Sequence, residues 1–96
     1  MNEKQTILLL NNDNMLIAPL REALCRQGYD VLTAHSSCQA LSTLCQTGID
    51  LLIIDSEMAD MKGVDFLHHL RQNNRFATLP VLMLVEEALV ASPVTC

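Results

Sequence analysis

Ninety-six residues, six of them basic and eleven acidic for a formal charge of −5, make one domain with enough chain for a layered core. Half of the residues are apolar, so disorder is not expected, and the lack of any basic cluster argues against nucleic acid or an anionic membrane as a direct partner. Neither a signal-peptide core nor a membrane-length apolar run is present, which makes the cytoplasm the default compartment. With no Trp, one Tyr and two Phe, the core must be aliphatic, as suits packing on a parallel sheet. Cys25, Cys38, Cys45 and Cys96 show no CxxC or ligand-like spacing and read as small buried hydrophobes.

In chain order, Thr6 to Leu10 is an apolar run closed by Asn11-Asn12-Asp13-Asn14, a turn and helix-cap composition. Leu16, Ile17, Leu20 and Leu24 then recur at helical spacing, predicting a helix near 14–27 that stops at Gly28. Pro19 either kinks the first turn or marks where the regular helix begins. A half-polar strand at 30–34 follows. Ser36 or Ser37 caps a second helix near 37–47, with Ala40, Leu41, Leu44 and Cys45 facing inward. Leu51 to Ile54 is a buried strand ending in Asp55. Val64, Phe66, Leu67 and Leu70 mark a third helix from Gly63 to about 73, and Pro80 opens the run Val81–Val85. Glu86 to Ala91 could start another helix that Pro93 would cut short.

Alternating strands and helices joined by short loops mean a parallel sheet covered by helices on both faces, with right-handed crossovers. The half-polar strand belongs on an edge, so the expected order is 2-1-3-4. That order puts a switch point between strands one and three, whose tips carry Asn11-Asn12-Asp13 and Asp55. Ligands of open α/β sheets bind at such a place. An aspartate there can be a phosphoryl nucleophile or a ligand for a hard cation. His68 and His69 lie about 100° apart around a helix and read as exposed, His35 as a loop residue. The Glu86-Glu87 pair reads as a solvated helix start.

The runs Ile7–Asp13, Gly28-Tyr29-Asp30-Val31, Asp50–Gly63, Leu70-Arg71 and Leu79–Leu84 together resemble the receiver domain of bacterial response regulators, over residues 6 to about 86. The resemblance implies a flavodoxin-like, three-layer α/β/α fold in one domain spanning 1–96. This chain would hold four strands of it, without the family's fifth strand and last helix, and with a short tail from 87. It also implies a non-enzymatic role in phosphorelay signalling, with a histidine kinase or another signalling protein as partner. Asp55 matches the phosphoacceptor. The family's acidic pair, which holds Mg²⁺ with that aspartate, matches Asn11 and Asn12. Glu57 matches the residue that lends a carbonyl to the metal, and Val85 stands where a hydroxyl residue senses the phosphoryl group. Ala59 stands where the family has a proline.

Two amides in place of two carboxylates remove charge worth on the order of 4 kcal/mol each at an effective dielectric of about 20, before desolvation offsets it. Asp13 and Glu57 would restore some of it if turned inward, leaving Asn12, Asp13, Asp55 and Glu57 as a weak Mg²⁺ set and no cofactor strictly required. The expectation is therefore a pseudo-receiver acting through protein–protein contact. A phosphoacceptor that works through Asp55 and weakly bound Mg²⁺, or a fragment of a longer regulator, is the alternative. An unrelated flavin- or nucleotide-binding domain would need phosphate-cradling glycines that this sequence lacks. The open edge of the Val81–Val85 strand further predicts a homodimer.

Overall fold

The structure is a computed structural model that describes residues 4–11, 14–56, 58 and 60–84. Its elements are β1 (Thr6–Leu10), α1 (Asn14–Arg26), β2 (Asp30–Ala34), α2 (Ser37–Gln46), β3 (Leu51–Asp55), α3 (Gly63–Arg71), a 3₁₀ turn (Asn74–Phe76) and β4 (Val81–Leu84). The strands form one parallel sheet in the order β2-β1-β3-β4, the order read from the sequence. Half-polar β2 indeed lies on an edge. Positions 85–96, with Val85, the Glu86-Glu87 pair and the predicted tail, fall outside the described residues.

Alternation along the strands divides the apolar side chains between two layers. Leu8, Leu10, Leu52 and Ile54 pack under α2 and α3 with Ala40, Leu44, Phe66, Leu70 and Phe76. Ile7, Leu9 and Ile53 pack under α1 with Ile17, flanked by half-buried Leu20, Leu24, Tyr29 and Leu84. A strand whose successive residues are all buried needs cover on both faces, which explains why β1 and β3 read as unbroken aliphatic runs. At β4 the α1-side cover thins among the described residues: Leu84 still packs against that layer, but Leu82 is 54% exposed. On area alone, a side chain about half exposed forgoes roughly half of the 1.5–3 kcal/mol that full burial brings.

The helix ends are specified locally. Ser36 caps α2 by accepting the Gln39 N–H at 3.1 Å, while Gln39 Oε1 accepts the His35 N–H at 2.8 Å, a reciprocal box one residue out of its usual register. Gly28, at φ 97°, ends α1: the Tyr29 N–H reaches Leu24 O at 3.3 Å and the Gly28 N–H reaches Cys25 O at 3.0 Å. This is the paired closure that a left-handed residue permits.

Two expectations need correction, and of the two alternatives left open for Pro19 one falls away. Pro19 lies inside α1, which begins before it at Asn14, so the helix tolerates a missing N–H donor instead of starting at the proline. Cys45 faces solvent, as do Cys25 and Cys38. The inward stripe of α2 is Ser37, Ala40 and Leu44, and the residue after Leu44 is turned by about 100° away from it. Val64 is 56% exposed for the same reason, the buried stripe of α3 being Gly63, Phe66 and Leu70.

Candidate functional site

The crevice forms where the strand order reverses, at the C-terminal tips of β1 and β3. Leu10 pairs with Ile54, so the next residues, Asn11 and Asp55, stand side by side on adjacent strands, about 4.8 Å apart in backbone spacing. By the pleat both share the side of Leu9 and Ile53. Asn11 is 3% exposed, and its N–H donates to Ala34 O at 3.2 Å, extending the β1–β2 ladder by one residue. Asp55 is half-buried. The Ser56 N–H donates to Leu84 O at 3.0 Å, which brings the end of β4 to the third side of the crevice.

The loop from β3 to α3 is built on close backbone contact. A Cβ on Gly63 would fall 2.6 Å from Asp55 O and 3.0 Å from Ser56 Cα, distances no side chain tolerates without movement of the backbone. The Gly63 N–H donates to Ser56 O at 2.9 Å and shuts the base of the loop. The Asp55-to-Gly63 spacing in the sequence is thus a packing requirement: the glycine lets α3 start directly against the carboxylate's own peptide. Farther out, Asp60 Oδ2 accepts from the Ser37 N–H at 3.0 Å and from Ser37 Oγ at 2.5 Å. The Ser37 hydroxyl, foremost among the causes, holds the Asp60 carboxyl below its usual range. Lys62 is the N-cap of α3 and makes no side-chain hydrogen bond there, an unfavourable choice where Ser, Thr, Asp or Asn would satisfy an amide and suit the dipole.

Sequence reasoning brought Asn11 and Asp55 together correctly in space but missed Asp60 and Ser37. The one signal for that pair was an acid in a loop near a helix start with no acid of its own. Asn12, Asp13 and Glu57 lie outside the described residues, as do Ala59 and Val85. His35, His68 and His69 are exposed, and His68 pairs with Gln72 at 3.0 Å. Among the described residues no three His, Cys, Asp or Glu side chains converge on one point. Among the described residues the crevice brings one carboxylate, Asp55, beside one amide, Asn11. A hollow lined by Leu44, Thr47, Ile49, Arg75 and Leu79 opens at the opposite end of the sheet and adds nothing to this crevice. Among the described residues no helix is long and apolar enough to cross a membrane.

A parallel sheet with a carboxylate at its switch point, flanked by α1 on one face and by α2 and α3 on the other, defines a flavodoxin-like α/β domain. The sequence matches the family described as "Response regulator receiver domain" over residues 7–95, and the chain belongs to that family. It is 41% identical over 78 residues to the transcriptional regulatory protein CpxR of Klebsiella pneumoniae, an alignment covering 81% of this chain and 32% of that protein. The chain thus spans about a third of the length of that relative. Among solved structures, the receiver protein N-terminal domain from Methanoculleus marisnigri superposes with a TM-score of 0.79 at 31% identity, covering 91% of this chain and 76% of that one. The chemotaxis response regulator CheY4 of Vibrio cholerae gives 0.80 at 25% identity, covering 84% and 68%.

Proposed function

We propose that this receiver domain works in two-component signalling as a pseudo-receiver: it acts by binding other proteins and accepts little or no phosphoryl group at Asp55. The observation that carries this reading is the amide at Asn11, 3% exposed and next to Asp55, where the family resemblance calls for a carboxylate. Phosphoryl transfer to an aspartate depends on positioning and on stabilising the charge that spreads over the equatorial oxygens. A neutral amide contributes none of the charge that would hold the assisting cation. On the resemblance, Asn12 deepens the same deficit and Val85 withholds a hydroxyl. The apolar layers on the two faces of β1 and β3, by contrast, are well packed, which suits a module whose output is a surface.

The partner is a histidine kinase or another signalling protein, met in the cytoplasm. The chain does no chemistry of its own, requires no cofactor, holds Mg²⁺ weakly at most, and with its charge of −5 does not contact nucleic acid directly. A homodimer completes the reading. Support for it comes from β4, at the edge of the sheet among the described residues and with Leu82 54% exposed, because an apolar edge is a template for a second chain.

Incubation with a small-molecule phosphodonor and excess Mg²⁺, followed by intact-mass measurement, tests the first part. The expected result is an unmodified chain; stoichiometric modification that Asp55→Asn abolishes would establish the phosphoacceptor reading instead. Sedimentation at micromolar concentration tests the second, and a well-folded monomer there refutes the dimer.

A further inference from the structure

Among the described residues the loop after Asp55 has two fastenings. One fastening is local, the Gly63 N–H to Ser56 O bond at its base. The other is tertiary: Asp60 Oδ2 accepts both the N–H and the hydroxyl of Ser37, 23 positions away. Ser37 is the first residue of α2 and only 6% exposed. The opening N–H groups of a helix have no partner within it. Ser36 takes that of Gln39, and Asp60 takes that of Ser37. With no acidic residue in the first turn of α2, Asp60 also brings in from another segment the negative charge that a helix N-terminus favours.

We infer that Asp60 is a positioning residue of the Asp55 site: through Ser37 it latches the β3–α3 loop to the start of α2, so that loop and helix shift as one unit. The inference rests on reading the crevice at Asp55 as the site. Its consequence is two-way coupling. Whatever engages the loop beside Asp55 is felt at α2, and a partner that grips the first turn of α2 re-sets the loop. Two segments that share a hydrogen-bonded contact and open together form one cooperative unit.

Among the described residues, the charged or titratable groups on and against the elements the latch joins are Asp55 and Lys62 beside the loop, Asp65, His68, His69 and Arg71 on α3, His35, Cys38 and Cys45 before and along α2, and Arg75, whose guanidinium reaches Cys45 O at 3.5 Å. Among the described residues the ion pairs are Lys4–Asp30 and Glu22–Arg26, neither involving Asp60. The latch is therefore a hydrogen-bonded carboxylate more than an ion pair. Because folding lowers the Asp60 pKa, the latch contributes fully above the ordinary carboxylate range and is lost as pH falls through the lower folded value.

The test uses the full chain, carboxyl-carbon NMR titration and amide hydrogen exchange in the wild type, Ser37→Ala, Asp60→Ala, Asp60→Asn and Asp55→Asn. In Ser37→Ala the Asp60 carboxyl should titrate at higher pH than in the wild type. In Asp60→Ala, exchange at 36–40 and at 58–63 should quicken together, by roughly tenfold, and adding Ser37→Ala should change it little further. Asp60→Asn, which keeps the size and one acceptor oxygen, should fall between. An Asp60 titration unmoved by Ser37→Ala overturns the latch, as does exchange that rises in the loop alone. Should Asp60→Ala fail to fold, the Ser37→Ala titration decides. Asp55→Asn identifies the Asp55 carboxyl signal, which should shift in Asp60→Ala; a signal that stays put there while exchange rises in both segments overturns the positioning of the site but not the Asp60–Ser37 contact, so the two failures are told apart.

Discussion

The tips of β1 and β3 lie side by side and have been treated differently. At β3, among the described residues, the geometry is held by the bare Cα of Gly63 against Asp55 O, the Gly63–Ser56 bond and the Asp60–Ser37 contact. At β1 the position is kept just as firmly, with Asn11 buried and bonded to Ala34 O, but the side chain is a neutral amide. The difference teaches that scaffold and charge are separable in this fold. Packing fixes where the crevice lies, while the choice between carboxylate and amide at its rim changes the charge there with the scaffold kept.

Breaking the β3 side should cost most. Phe66 is fully buried beneath the sheet, and Phe66→Ala is expected to lose about 3–5 kcal/mol, read from denaturant unfolding. Next comes the β1 side. Asn11→Asp places a carboxylate at a site 3% exposed beside Asp55, and without a cation it should cost roughly 3 kcal/mol at neutral pH. Burial and the like charge raise the folded pKa of the new group, so this penalty should grow as pH rises through and above the ordinary carboxylate range and vanish in acid. Added Mg²⁺ should recover part of it as a higher Tm, a recovery the wild type does not show.

Gly63→Ala forces the 2.6 Å contact with Asp55 O to open and should cost about 1–3 kcal/mol, with exchange rising first in the Ser56–Gly63 segment. The smallest effect has the opposite sign. Lys62→Asp gives α3 an N-cap it lacks and should gain about 0.5–1 kcal/mol, seen as a small rise in Tm.

Most of this fold was legible because its signals are periodic. Unbroken aliphatic runs marked β1 and β3, the half-polar run at 30–34 marked an edge, and Ser36 and Gly28 marked helix ends through local hydrogen bonds and φ. Misreadings came where apolar identity was taken for burial: Cys45 and Val64 sit one residue off their helices' inward stripes, whereas the exposure of Leu82 agrees with the open edge read at Val81–Val85. Pro19 was ambiguous because its cost is set by the packing of α1, not by its neighbours in sequence. Of the site, the juxtaposition of Asn11 and Asp55 followed from strand order alone. The Asp60–Ser37 contact did not, since a side-chain bond between segments 23 residues apart leaves no period to read.

The central claim is that the crevice beside Asp55 lacks the charge to hold Mg²⁺. Titration of the full chain with MgCl₂ into the millimolar range, followed through the Asp55 carboxyl and the amides of Ser56 and Gly63, tests it most directly. The account predicts small, non-saturating shifts in the wild type and a saturable response once Asn11→Asp and Asn12→Asp are introduced, with Asn12→Asp the single change that improves binding most. Saturable binding by the unaltered chain, abolished by Asp55→Asn, would contradict it.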